Sequence, residues 1–259
     1  MRLRLPKVKT LAKHLALFAA VLSAGAVGLR AGTVPTTSMQ LTGVGDSVTL
    51  GTVYVDPYLA TVGGVANTYV ICDDWSNDTN KNETWTAQVI NAATVSNSTY
   101  GTPMFGNNQT LYNQLAWLGA QLLANPTNGT NQTEISFAIW DLSYGINGNT
   151  QSPDPLTYLS QNQGSAVQCK NQTVSCYQGT LNWLSQAGTE GNYNSAGWQI
   201  YNPVPGTQNG GSSTPQEFMT YTPQAAPEAS ETAVLAGDLL LFGVAVLVLR
   251  RRGLLAINR

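Results

Sequence analysis

From residue 34 to about residue 95, apolar and polar positions change over in short runs. "SVTLGTVYVDPYLATV" and "ANTYVICDDW" are rich in β-branched and aromatic residues and are broken by Gly and Asp-Pro, which predicts strands joined by turns. "ETWTAQVINAATV" continues the pattern, with Trp85, Ala87 and Val89 on one face. The period then lengthens. In "NNQTLYNQLAWLGAQLLANP" the residues Leu111, Leu115, Leu118 and Leu122 line one face of a predicted helix that Asn125-Pro126 ends. "NQTEISFAIWDLSYG" predicts a second helix, with Asn131 as cap, Glu134 three residues on, and Ile135, Ala138, Ile139 and Leu142 as the buried face. A third, weaker helix runs through "TVSCYQGTLNWLSQA", and "GWQIYNPV" and "QEFMTYTP" return as strands. The expectation is an α+β domain over 32–222, its N-terminal strand-rich part packed with two or three short helices.

Both ends depart from this alternation. "MRLRLPKVKTLAKH" followed by "LALFAAVLSAGAVGL" has the basic and apolar regions of a signal peptide, with small residues allowing cleavage after Ala26 or Ala31. Residues 1–31 are therefore expected to direct export; an uncleaved anchor is the alternative. A Pro/Ala-rich linker (223–231) precedes an apolar run at 232–249, a length at the lower limit for a membrane helix. Arg250, Arg251 and Arg252 follow at once, which puts the basic tail 250–259 in the cytoplasm and the domain outside.

Charge sharpens the picture. Between residues 33 and 225 only Lys81 and Lys170 are basic, against eleven acidic residues, so a total of −2 conceals an interior near −9. Without an interior Arg the chain cannot neutralise a run of phosphates, and nucleic acid is excluded as a partner.

Near the C-terminus, Pro227-Glu228-Ala229, the apolar run and the Arg cluster stand in the order of the PEP-CTERM sorting signal of Gram-negative bacteria, which this segment resembles. That family reads Pro-Glu-Pro where Ala229 stands. The resemblance implies an exosortase substrate: handled by the export machinery and an exosortase-like membrane enzyme, held in the inner membrane by a single pass, then released to the cell surface or extracellular matrix. "YVICDDW", "YNQLAWLGAQLLANP", "ISFAIWDL" and "PQEF" are similar to PEP-CTERM proteins of soil bacteria such as Acidobacteria, a group with no activity to carry over.

The chemistry available to the body is narrow. The only histidine, His14, lies in the signal segment, so the exported part has no imidazole for a Ser-His or Cys-His relay or for zinc. Cys169 and Cys176 are close enough for a disulfide in an oxidising compartment, which leaves Cys72 as an odd thiol. "CDDW" at Cys72 and "AIWDL" at 138–142 resemble thioester-domain adhesins, in which such a Cys bonds to a Gln on the helix; here Ser136 occupies the Gln position and Gln132 lies one turn earlier. Asp74, Ser76, Asp78, Asn80 and Asn82 alternate as in a calcium loop, but Thr79 replaces the required Gly and Trp85 the bidentate Glu. A glycosidase pair could be drawn from Asp73, Asp74, Glu134 or Asp141, though no spacing selects one. Trp117 and Trp140 read as core, whereas Trp75 and Trp198 read as sugar contacts. Asn77, Asn82, Asn97, Asn108, Asn128, Asn131 and Asn171 head Asn-x-Ser/Thr triplets, which could accept sugar or arise by chance in so Asn-rich a chain. The expectation is a non-enzymatic surface or matrix protein without cofactor or metal that binds envelope polysaccharide or other surface proteins. A Cys72 thioester adhesin is the alternative and a histidine-free glycoside hydrolase the second.

Overall fold

Strand residues pair along the whole first block, and the pairing does not stop at an edge. The computed structural model describes residues 34–45, 47–97, 101–170, 172–210 and 214–222. The chain divides into Met1–Val34 and Pro35–Arg259, and every element below belongs to the second unit. Strands β1 (Thr36–Val44), β4 (Tyr58–Val62), β5 (Val65–Cys72), β6 (Thr84–Asn91), β7 (Trp198–Pro203) and β8 (Phe218–Tyr221) close into a barrel in the order β1-β4-β5-β8-β7-β6. Every pairing is antiparallel. A small hairpin, β2 (Thr49–Leu50) with β3 (Val53–Tyr54), stands beside it. Strand and helix are mixed as the patterning predicts, but closure is new information. It comes from the C-terminal strands β7 and β8 bridging β6 to β5, and it leaves no unpaired edge in the barrel.

Registers sort the side chains into an inside and an outside. Tyr58, Trp85 and Phe218 come from strands that are not neighbours, yet Tyr58 and Trp85 each meet Phe218 at 5.8 Å between ring centres. Such contacts are possible only across the interior. Cys72 and Tyr201 sit opposite Phe218 and share that face. The alternate row, Ile71 opposite Met219, Met219 opposite Ile200 and Ile200 opposite Ile90, faces outward and is buried all along its length.

Helices cover that outer row. In α1 (Gln109–Ala124) all four predicted leucines are buried, and the Asn108 side chain accepts from Leu111 N at 3.1 Å as N-cap. A Cβ at Gly119 would come 2.6 Å from a ring carbon of Trp198 and 3.1 Å from Ile71 Cδ1, so α1 lies closer to the barrel than any side chain permits. Helix α2 (Gly129–Ser143) corrects the sequence reading: its N-cap is Asn128, and Asn131 lies inside the first turn with its amide donated to Asn125. Two Asn three residues apart carry the same capping chemistry, so the pattern alone could not choose between them. The α2 burial also runs all round, with nine consecutive residues from Gln132 to Trp140 buried, while Leu142 is only half-buried. Helix α3 (Pro155–Asn162) was not foreseen, although its signals are local: Asp154 caps Thr157 N at 2.9 Å and Pro155 opens the first turn. Helix α4 (Cys176–Ala187) is capped by Ser175, and the predicted disulfide joins its first residue to Cys169. Among the described residues the domain thus has four α-helices where two or three were expected.

The signal segment 1–31, the linker 223–231 with Pro227, Glu228 and Ala229, the apolar run 232–249, and the tail with Arg250, Arg251 and Arg252 lie outside the described residues. Among the described residues no helix is long and apolar enough to cross a membrane.

Candidate functional site

The chain leaving β5, Cys72-Asp73-Asp74-Trp75, divides its four side chains between two environments. Cys72 is a free, buried thiol that donates to the Asp74 carbonyl at 3.2 Å, and burial, with Asp74 and Asp73 nearby, pushes its pKa well up. It is therefore held as the neutral thiol rather than as a nucleophile. The "CDDW" and "AIW" segments do meet, since Trp140 Nε1 donates to the Cys72 carbonyl at 3.1 Å. The acyl partner does not: Gln132 gives its amide to the Pro126 carbonyl at 2.9 Å, and Ser136 gives its hydroxyl to the Val55 carbonyl at 2.8 Å.

Asp73 turns inward. Its carboxyl is wholly buried, and no other residue among those described gives either oxygen an N–H or O–H hydrogen bond. Its partner is Glu217, equally buried at the start of β8, which accepts from Tyr112 Oη at 2.6 Å and from Met104 N at 2.7 Å. Two acids can hydrogen-bond only by sharing a proton. Burial and then the Glu217 charge raise Asp73 well above the carboxylate range, and burial raises Glu217 to about 7. Burial and the neighbouring Glu217 charge thus favour the protonated form of Asp73, while the Tyr112 and Met104 donors support charge on Glu217. Neither Glu217 nor Tyr112 was foreseen; "PQEF" was visible as a motif, but nothing local marks its Glu as buried.

Asp74, Trp75 and residues of the hairpin, α3 and the loop before β8 enclose a cleft of roughly 430 Å³. That is within the range of small-molecule sites. Asp74 Oδ1 accepts from Ser76 N (2.9 Å) and Oδ2 from Asn77 Nδ2 (2.7 Å), while Gln216 Nε2 holds the Asp74 carbonyl (3.0 Å). Trp75 donates its Nε1–H to the Pro153 carbonyl at 3.0 Å and packs against Trp140 (5.2 Å) and Tyr158 (5.5 Å). The Tyr158 hydroxyl bonds Thr52, which ties α3 to the hairpin; Tyr54, 43% exposed, forms the opposite wall with Asp78, Asn80 and Gln151. Aromatic faces, side-chain amides and carboxylates surround one opening, and neither Lys81 nor Lys170 lines it.

The remaining candidates are distributed as follows. Trp198, expected as a sugar contact, is instead among the most buried side chains, packed on Tyr221 beneath α1; a Gly before it and polar loop residues around it concealed its place on the outer row. Trp140 is core as expected, and Trp117 is half-buried against Trp183 at 5.9 Å. Glu134 faces α4 and accepts from Trp183 Nε1 at 3.2 Å, while Asp141 feels the charge of Asp154. Among the described residues no group of three His, Cys, Asp or Glu is placed to hold a metal ion; Asn80 N donates to Glu83 and Asp74 is engaged as above, so the loop geometry serves internal bonds. Of the Asn-x-Ser/Thr positions, Asn82, Asn97, Asn108 and Asn128 are exposed, Asn77 and Asn131 have their amides donated, and Asn171 lies outside the described residues.

Comparison with family models, with curated proteins and with solved structures gave no match in any of the three.

Proposed function

We propose that the chain is an exported, non-catalytic protein of the cell surface or exopolysaccharide matrix, carried there by its two terminal signals, and that its domain binds envelope polysaccharide in the cleft beside Asp74. The observation that carries the reading is the lining of that cleft. The exposed Tyr54 ring and the half-buried Tyr158 ring, backed by buried Trp75, suit the apolar faces of pyranose rings, and the Asn80 amide, the carbonyl ends of Gln151 and Gln216 and the Asp78 carboxylate suit ring hydroxyls. Asp74 has both carboxylate oxygens bonded to Ser76 N and Asn77 Nδ2, and neither Asp73 nor Glu217 lines the cleft, which supports binding over hydrolysis. The disulfide supports an oxidising compartment.

The test is fractionation of the bacterium with peptide mapping of the recovered chain. The reading expects the protein to travel with the polysaccharide fraction and its C-terminal peptide to end near residues 227–230. Recovery of peptides beyond Arg252 from the membrane alone, with nothing in the polysaccharide fraction, would replace it with a permanently anchored protein of other use.

A further inference from the structure

The cleft's charge has one sign, and that narrows its ligand. We infer that it recognises an amino sugar bearing a free ammonium group, as in a partly de-N-acetylated polysaccharide, with the ammonium held at Asp78 against the Tyr54 ring. This rests on the polysaccharide reading above and goes on to name the sugar.

Asp78 is exposed and lines the opening together with Tyr54 and Asp74, while among the described residues neither basic side chain lines it. A carboxylate beside an exposed aromatic face is complementary to a cation twice over, through the ion pair and through the ring quadrupole. The field of the exported domain, near −9, steers cations toward such a site and repels uronic acids. The Asn80 amide and the carbonyl ends of the Gln151 and Gln216 amides, whose nitrogens bind backbone carbonyls, then serve the hydroxyls that a sugar has and a lysine side chain lacks. A rigid ring also loses less freedom on binding than an extended basic peptide, which favours the sugar between these two cationic classes. An adjoining hollow shares the Tyr54, Tyr58 and Thr79 walls but contains Lys81. A chain continuing into it would place an uncharged, N-acetylated unit there, so a mixed polymer fits better than a fully cationic one.

NMR titration of the full-length protein compares β-1,4-linked glucosamine disaccharide, its di-N-acetylated form and trilysine, for wild type and Asp78→Asn. The expected result is that the free amine binds about tenfold tighter than the acetylated form, that added salt narrows this gap, and that Asp78→Asn brings the two to about equal affinity. Equal binding of the two disaccharides, unchanged by Asp78→Asn, would overturn the ammonium inference and leave the polysaccharide reading standing. Trilysine binding as tightly as the amino disaccharide would overturn the choice of sugar over basic peptide. No shift of cleft resonances with either disaccharide would remove both the inference and the polysaccharide reading at this cleft.

Discussion

Asp73 and Asp74 are adjacent, of one residue type and almost equally buried, yet they belong to different chemistries. Asp74 has a backbone N–H and a side-chain amide on its two oxygens, so donors offset part of its desolvation. Asp73 draws no such donor from another described residue, and burial together with the Glu217 charge favours its protonated form. Depth does not separate the two; the supply of donors does. One strand end thereby serves two regions, a dry acid pair locking β5 to β8 and α1, and a cleft open to ligand.

The strongest way to break this contrast is Glu217→Ala. It strips the partner from Asp73, Tyr112 and Met104 N together, and is expected to cost about 3–5 kcal/mol, read as a lowered midpoint in urea unfolding. A gentler probe is pH. Because Glu217 titrates near 7 when folded and near its ordinary 4.5 when unfolded, the folded state binds more protons in between. Stability is then greatest below the unfolded carboxylate range and falls as pH rises through about 7, and the raised Asp73, still protonated in the fold, prolongs the fall beyond it. Asp73→Asn, whose amide can donate to Glu217 without titrating, should flatten that slope and raise stability at pH 8; an unchanged slope would show that the pair does not share a proton.

Gly119→Ala tests the dry side from the helix. Its Cβ would meet Trp198 and Ile71, and a loss of about 1–3 kcal/mol in thermal unfolding is expected. Reduction of the Cys169–Cys176 bridge, which closes a short loop away from both acids, should cost about 2 kcal/mol with the pH slope intact. Smallest of all, Asp78→Asn on the exposed cleft wall should change stability by less than about 0.5 kcal/mol, so that its effect falls on ligand binding alone.

What was legible in the sequence follows the range of each signal. Periodicity placed the strands, the leucine face of α1 and the C-terminal strands because those patterns lie within a few residues of one another. Chain spacing was enough for the disulfide. Closure was not legible, because nothing within β6 or β5 says that β7 and β8 will join them across more than a hundred residues. For the same reason Glu217 stayed hidden: its three partners, Asp73, Tyr112 and Met104, all lie at least 105 residues away. The α2 cap failed differently, since Asn128 and Asn131 are chemically equal as caps, and Asn131 instead gives its amide to Asn125. Trp75 and Trp198 looked alike beside polar loops; one lines the cleft and the other fills the space that Gly119 leaves.

The most direct measurement of the account is calorimetric titration of polysaccharide from the bacterium's own matrix into full-length wild-type protein and Tyr54→Ala, with thermal unfolding of both. The account predicts saturable binding by wild type, at least about tenfold weaker binding by Tyr54→Ala, and unfolding midpoints within a few degrees of each other. Binding by the variant as tight as by wild type would place the polysaccharide elsewhere on the surface, and no binding by wild type would contradict the function proposed for the cleft.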